Sequence, residues 1–169
     1  TLPLPGDANS LGANKALVVD TTVPTVSNVT SSKDDGTYGV GTVIPIQVVF
    51  SEVVTVTNTP QLTLETGATD AVVGYSSGSG TNTLTFDYIV AASQSAADLD
   101  YTAPTSLALN DGSIQDLAGN PATLTLAAPG AANSLGGNKA LVIETVAPVV
   151  TNVTSSTADG TFGLGGSVS

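Results

Sequence analysis

The chain has 169 residues, and its fourteen Asp and Glu residues against three lysines give a formal net charge of −11. It contains no Cys, His, Met, Trp or Arg, which excludes thiol and imidazole nucleophiles, the usual zinc and iron ligand sets, disulfides and guanidinium clamps for phosphate. The acidic charge argues against nucleic acid and anionic membranes as partners and suits a hard cation with oxygen ligands. No apolar run reaches the ~18 residues of a membrane span.

The first segment of the chain is nearly repeated towards its other end. Residues 5–24 read PGDANSLGANKALVVDTTVP, and residues 129–148 read PGAANSLGGNKALVIETVAP. Extended without a gap over residues 5–41 and 129–165, the two stretches are identical at 25 of 37 positions, at an offset of 124 residues. This offset exceeds the periods of short-repeat solenoids, about 20–50 residues, and is typical of a whole domain.

The repeat predicts tandem domains. Residues 1–20 are interpreted as the last strands of one repeat, residues 21–144 as a complete repeat, and residues 145–169 as the first strands of another. The chain is then expected to be a segment of a longer array. Pro24 and Pro148 follow the repeated LVVD and LVIE stretches and predict a short, extended linker between domains, because proline fixes φ and removes a backbone donor.

The sequence between the repeated segments predicts β-strands. Apolar and polar residues alternate with a period of two, the pattern of a strand buried on one face. The predicted strands are residues 25–31, 43–50, 61–66, 71–77, 83–90, 105–109, 122–128 and 139–143. Gly-, Asn- and Asp-rich turn sequences such as KDDG, SGSGTN and LAGNP separate them. Seven or eight short strands per repeat predict an all-β fold, an antiparallel β-sandwich of immunoglobulin type.

Four stretches carry a resemblance to a known family. They are SLGANKALVVDTTVPTVSNVTSS, GTYGVGTVIPIQVVFSEVV, QLTLETGATDAVV and DGSIQDLAGNPATLTL. In this order they resemble the repeated immunoglobulin-like domains, of the Big and cadherin-like type, of very large bacterial surface adhesins. The resemblance covers essentially the whole chain. It implies an extracellular stalk or filament segment on the bacterial surface, often rigidified by calcium at domain junctions, and it specifies no ligand.

Strand order independently predicts a metal site. If the first strand runs away from the linker and the second returns, Glu52 lies at the same end of the sandwich as Asp20. The same alternation, continued through the later strands, brings Asp116 and Asn120 to that end. Because carboxylate and amide oxygens are ligands for calcium, we predict a calcium site formed by these four residues.

The acidic residues also have simpler interpretations. Asp and Asn in NDG and DLAGN favour turns without any ion, and Glu52 near Asp20 is equally compatible with a solvated carboxylate. Neither an EF-hand loop nor a glycine-rich nonapeptide calcium repeat is present. Strand counting further predicts that the opposite end collects a second set of acids: Asp34, Asp35, Asp70, Asp98 and Asp100.

Three classes of function follow from these patterns. The leading one is a structural spacer of an adhesin or extracellular filament, whose partners are neighbouring copies of the repeat in cis and other chains that add a strand to the exposed edges of residues 145–169. The alternative is a carbohydrate- or protein-binding accessory module, which needs exposed aromatic residues. With Phe50, Phe86 and Tyr88 assigned to the core, the remaining candidates are Tyr38, Tyr75, Tyr101 and Phe162. No spacing of carboxylates suggests a catalytic pocket, so we expect no enzyme.

The repeated NKAL motif contains two of the three lysines, Lys15 and Lys139. An internal lysine–asparagine crosslink is one interpretation of this motif. We expect instead that each lysine is exposed and protects the edge of a strand.

Overall fold

Strands with alternating buried and exposed side chains form most of the ordered structure. A computed structural model describes residues 1–167 and residue 169. In chain order its elements are α1 (Leu11–Asn14), β1 (Val26–Ser31), β2 (Gly36–Tyr38), β3 (Val43–Thr57), β4 (Gln61–Glu65), β5 (Ala71–Ser77), β6 (Thr81–Ile89), β7 (Ser95–Ala96), β8 (Asp100–Tyr101), β9 (Leu107–Ala108), β10 (Ser113–Gln115), α2 (Leu135–Asn138) and β11 (Leu141–Glu144). Both helices are single turns, and within the described residues no helix has the length and apolarity needed to cross a membrane.

The strands form two sheets. The larger sheet has the order β1-β3-β6-β5-β4-β8, with β10 also paired to β3 and β9 also paired to β4. The smaller sheet has the order β2-β11-β7. All pairs between strands are antiparallel except β11 with β2, which is parallel. The prediction of an all-β, sandwich-like fold built from antiparallel strands is therefore confirmed.

The core contains side chains from both sheets and is aliphatic with a few aromatic rings. Its buried cluster extends from Val29 in β1 to Ile143 in β11. β3 places five apolar side chains there, and Phe86 and Tyr88 of β6 join them as predicted. Full burial of each such side chain contributes about 1.5–3 kcal/mol relative to exposure, so this strand pair anchors the fold.

β3 is longer than predicted and has two sets of neighbours. Its first half pairs with β1 as far as Phe50, and its last residues, Thr55–Thr57, pair with β10. Its register against β6 shifts between Val49 and Val54. This irregularity re-aims the side chains between those two positions, as β-bulges do.

The predicted strands agree with the structure to different degrees. Residues 71–77 form a strand with the predicted bounds, and five others overlap β1, β3, β4, β6 and β11. Of the strand predicted at residues 105–109, only the two residues of β9 form a strand. The strand predicted at residues 122–128 is wrong. There Thr123 and Leu126 donate their backbone N–H groups to the carbonyls of Pro24 and Pro104, which belong to different segments, so no continuous ladder forms.

Candidate metal centre

Three carboxylates from separate segments meet in the folded chain. One oxygen each of Asp20, Glu52 and Asp116 lies within 4.8 Å of the others. Among the described residues these form the one group of three or more acidic side chains with such spacing. The predicted convergence of these three residues is therefore observed.

Asp20 reaches the group from the segment that precedes the core. Its Oδ1 accepts a hydrogen bond of 2.9 Å from the backbone N–H of Thr22, an Asx-type turn that orients the carboxylate. Its backbone carbonyl accepts a hydrogen bond of 3.1 Å from the side-chain amide of Asn120. The backbone of Pro24, farther along, accepts the N–H of Thr123 at 2.8 Å. Residues 20–24 are thus tied to the fold at both ends.

Asp116 is held by the turn that follows β10. It is buried, with 3 % of its surface exposed. The backbone N–H of Asn120 donates to Oδ1 at 2.8 Å, and the Asn120 side-chain amide donates to Oδ2 at 2.7 Å. Burial alone raises the pKa of Asp116, but hydrogen bonds from the Asn120 side chain and from the backbone of residues 118–120 outweigh it, so the pKa lies below its ordinary value of 3.8. The carboxyl is therefore ionised and fixed in place.

Glu52 is the least satisfied member of the group. It does not emerge from the end of a strand, as strand counting predicted, because β3 continues to Thr57; it lies inside β3 at the register shift. Its Oε1 is buried and has no hydrogen-bond partner among the described residues. Burial, followed by the negative charges of Asp20 and Asp116, raises the pKa of Glu52 above its ordinary value of 4.5.

The arrangement suits a hard cation. Calcium binds carboxylate oxygens at about 2.3–2.6 Å, so oxygens up to about 5 Å apart can share one ion. The ion pair between Lys139 and Asp35 is the one ion pair of the described chain, so no lysine there neutralises the three carboxylates. A divalent cation would supply both the missing positive charge and the missing partner for Oε1 of Glu52.

Asn120, the fourth predicted ligand, lies beside the group in a different role. Its amide nitrogen donates to Asp116 and to the carbonyl of Asp20, so in this structure it positions both residues. The sequence signal for this role is the pairing of Asp and Asn four residues apart in DLAGN, a pattern that favours a side-chain-stabilised turn.

The second set of acidic residues does not form a second candidate metal site. Among the described residues, the acids assigned to the opposite end do not come together as a metal-binding group. Asp35 pairs instead with Lys139, whose Nζ lies 3.0 Å from Oδ1, and it accepts the backbone N–H of Ala140 at 3.2 Å. Asp100 is buried and accepts backbone N–H groups from Tyr101 and Gly130. Asp35 and Asp100 thus each accept a hydrogen bond from a segment that is distant in sequence, and these partners were not predicted.

The structure differs from two further predictions about side chains. Lys139 is not exposed, since 81 % of its side chain is covered and it pairs with Asp35. Of the aromatic residues reserved for ligand binding, Tyr101 is fully buried, and Tyr75 packs edge-on against Phe86 at 6.2 Å between ring centroids. Tyr101 is therefore unavailable as a flat exposed platform for a sugar, and Tyr75 is half-buried.

Comparison with models of known protein families, with curated proteins and with solved structures finds no match to the chain. The resemblance to adhesin repeats therefore rests on the four sequence stretches alone and stays a prediction. Any assignment of function depends on the repeat, the fold and the geometry of the acidic group.

Proposed function

We propose that this chain is a spacer segment of an extracellular bacterial adhesin or filament, in which immunoglobulin-like repeats of about 124 residues follow one another in tandem and a calcium ion stiffens each junction. Its work is mechanical: it holds a binding region at a distance from the cell. Adhesion or fibre assembly is then the process that it serves.

The observation that carries this proposal is the position of Asp20 in the repeat. Asp20 aligns with Glu144, the last residue of β11, so it belongs by alignment to the end of the preceding repeat. Glu52 and Asp116 belong to the repeat that follows. A cation that binds all three would join two consecutive repeats across the linker at residues 21–24. Repetition of the same contact along an array would produce a stiff rod.

The repeated turn supports the same interpretation. The backbone N–H of Val146 donates to Oε1 of Glu144 at 2.8 Å, as that of Thr22 donates to Oδ1 of Asp20 at 2.9 Å. Both carboxylates are therefore oriented by the residue two positions later. We infer that Glu144 is the ligand that this repeat contributes to the next junction.

The cation is tested by thermal unfolding with calcium, with magnesium and in calcium-free buffer. At ten times the dissociation constant, mass action adds about 1.4 kcal/mol, which corresponds to an increase in Tm of about 3–6 °C for a domain of this size. We expect this increase for the unchanged chain, none for Glu52→Gln or Asp116→Asn, and the full increase for Asp70→Asn, an exposed acid outside the group. Equal shifts in all variants would remove the cation from the proposal.

The mechanical role needs a second measurement, on a chain of several consecutive repeats. Small-angle X-ray scattering gives its maximum dimension, which we expect to grow in proportion to the number of repeats and to shrink when calcium is removed. A compact particle whose dimension does not follow the number of repeats would contradict the spacer role, whatever the cation does.

A further inference from the structure

The hairpin formed by β5 and β6 opens partway along its length. Near the turn its register pairs Tyr75 with Phe86. The same register would place Val72 opposite Ile89, but β5 and β6 do not pair there. Residues 71–74 of β5 pair with β4 instead, on the other side of the strand. The two strands of the hairpin therefore separate towards the start of β5 and the end of β6.

A cleft of about 410 Å³ lies between the separated strands. It is lined by residues 71–74 of β5, residues 87–89 of β6 and Gln94. Its volume is within the range of ligand sites, about 300–1,000 Å³. All of its lining residues belong to the interior of the complete repeat, and the segments at the two ends of the chain contribute none of them.

The backbone of Val72 faces this cleft. Its partner across the ladder is Thr63 of β4, whose N–H donates to the carbonyl of Ser106 at 3.1 Å. The carbonyl of Thr63 accepts the N–H of Thr102 at 3.3 Å. Both backbone groups of Thr63 are thus used on the far side of β4. Because opposite residues of an antiparallel pair exchange either both hydrogen bonds or neither, the N–H and carbonyl of Val72 point away from β4 and towards β6.

The backbone of β6 faces the cleft from the other side. The N–H of Val90 donates to the carbonyl of Thr42, on the side of β3, at 3.0 Å. Successive residues of a strand direct their backbone groups to opposite sides, so those of Ile89 point away from β3. On the same side, the N–H of Asp87 donates to the hydroxyl of Ser76 at 3.1 Å instead of to a backbone carbonyl. The cleft is therefore bordered by two strand edges whose facing backbone groups do not pair with each other.

The side chains at the cleft differ between its inner and outer faces. Val73 and Tyr88 are buried and face the core, whereas Val72 and Ile89 are 59 % and 61 % exposed. Asp87 lies on the outer face with Ile89, because alternate residues of a strand share a face. A strand placed in the cleft would therefore have one apolar face and one face beside a carboxylate.

The charge around the cleft is negative. Asp87 lines it, and Asp70 directly precedes its first residue; both are exposed. None of the described lining residues is a lysine. A second copy of this chain, with its own net charge of −11, is disfavoured as the occupant by repulsion. The occupant that complements these carboxylates is cationic.

We propose that this cleft binds an extended segment of a cationic partner protein, which adds as a strand between β5 and β6. Its backbone pairs with the facing groups of Val72 and Ile89. Its apolar side chains face Tyr88, and its alternate basic side chains lie outside, beside Asp87. Main-chain hydrogen bonds supply affinity in such strand addition, and the alternate side chains supply specificity. The site gives the chain a lateral attachment point, which depends neither on the spacer role nor on the cation.

The strand is tested with a fluorescein-labelled peptide of seven alternating valines and lysines, by fluorescence anisotropy at physiological salt. We expect saturable binding of one peptide per chain. The same peptide with N-methylated valines keeps its charge but loses half of its backbone donors, and its affinity should fall about tenfold or more. A peptide of alternating valine and glutamate should not bind. Equal affinity of the N-methylated peptide, or binding of the acidic one, would overturn the proposal.

The place of binding is tested by blocking the cleft, since the natural chain has no cysteine. Val72→Cys changes an exposed side chain and should still bind the valine–lysine peptide, but should lose binding once the thiol carries a bulky maleimide. Asn82→Cys, at the exposed opposite end of β6, is the matched control and should bind the peptide with or without the maleimide. Binding that survives modification at position 72 would contradict the site.

The charge contribution is tested by neutralising single acids. Asp87→Asn should weaken binding of the valine–lysine peptide about two- to fivefold, the range of an exposed ion pair. Asp34→Asn, at an exposed acid in the loop before β2, should leave it unchanged, and so should Glu52→Gln of the candidate metal centre. An equal loss in Asp34→Asn would mean that the peptide follows net charge only. Self-association of the chain that disappears in Ile89→Asp would identify a second copy as the occupant and would also overturn the proposal.

Discussion

Asn120 donates two hydrogen bonds to the carboxylate of Asp116, one from its backbone to Oδ1 at 2.8 Å and one from its side chain to Oδ2 at 2.7 Å. The same side chain also reaches the carbonyl of Asp20 at 3.1 Å. A single amide thus ties the turn after β10 to the segment that enters the fold. The carboxylates of Asp20 and Asp116 are therefore oriented by the protein before any ion arrives.

The first prediction concerns this amide. Asn120→Ala removes the side-chain hydrogen bonds to Asp116 and Asp20, and we expect calcium affinity to fall by about 10- to 100-fold, as for other residues that orient metal ligands. The pKa of Asp116 should also rise, because a hydrogen bond that favours its ionised form is lost. Isothermal titration calorimetry and carboxyl NMR measure the two effects. Asn82→Ala, at an exposed residue of β6, is the control; an equal loss of affinity there would show a general effect.

The second prediction concerns the pH dependence that Glu52 imparts. Its pKa is higher in the folded chain than its ordinary value of 4.5, so ionised Glu52 destabilises the fold when no cation is present. The free energy of unfolding should therefore fall as pH rises from 4.5 through the raised pKa. In calcium-free buffer Glu52→Gln should lack this fall, and its Tm above that interval should exceed that of the unchanged chain. With calcium in excess the order should reverse. Identical pH profiles for the two chains would contradict the destabilisation assigned to ionised Glu52.

Periodicity alone was sufficient to predict much of the fold. The alternation of residues 43–50 and 83–90 identified the paired core strands β3 and β6, because burial of one face imposes a period of two. The three acidic residues were also grouped correctly, although β3 does not end where strand counting required. Glu52 lies at the register shift within β3 rather than at a strand end, so the proximity of the three residues was expected for a partly wrong reason.

The features that the sequence did not reveal depend on contacts between distant residues. β7, β8 and β9 have two residues each, too few for any period to be visible. Residues 122–128 alternate like a strand, yet their N–H groups find partners in separate loops. The pairing of Lys139 with Asp35 has no local signal at all. The one sequence signal for this pairing is that both residues recur at the offset of 124 residues, Lys139 as Lys15 and Asp35 as Asp159.

The third prediction compares the two equivalent leucines. Leu135→Ala creates a cavity in the core, and we expect the free energy of unfolding to fall by about 2–5 kcal/mol. Leu11→Ala alters an exposed side chain and should change it by less than about 0.5 kcal/mol in dilute solution. Urea denaturation measures both. Similar losses from the two variants would mean that residues 1–20 are packed in the monomer as residues 125–144 are.

The fourth prediction concerns alkaline unfolding. Burial raises the pKa of Tyr88 to about 12, and burial together with the charge of Asp100 raises that of Tyr101 to about 12. In the unfolded chain both phenols ionise at about pH 10. The stability that the two buried phenols contribute is therefore complete below that pH and is lost as the pH rises towards about 12. Their hydroxyls also donate to Gln94 and to the Ala127 carbonyl, bonds that the phenolate cannot make.

We therefore expect the tyrosinate absorbance of these two residues to appear together with the loss of β-sheet circular dichroism as the pH is raised. Tyr88→Phe and Tyr101→Phe should each remove one residue's share of the late absorbance change. Ionisation of both residues well before unfolding, while the sheet signal is intact, would contradict their burial. That result would also place Tyr101 within reach of solvent, and it would reopen the ligand-binding role that its burial in the core now disfavours.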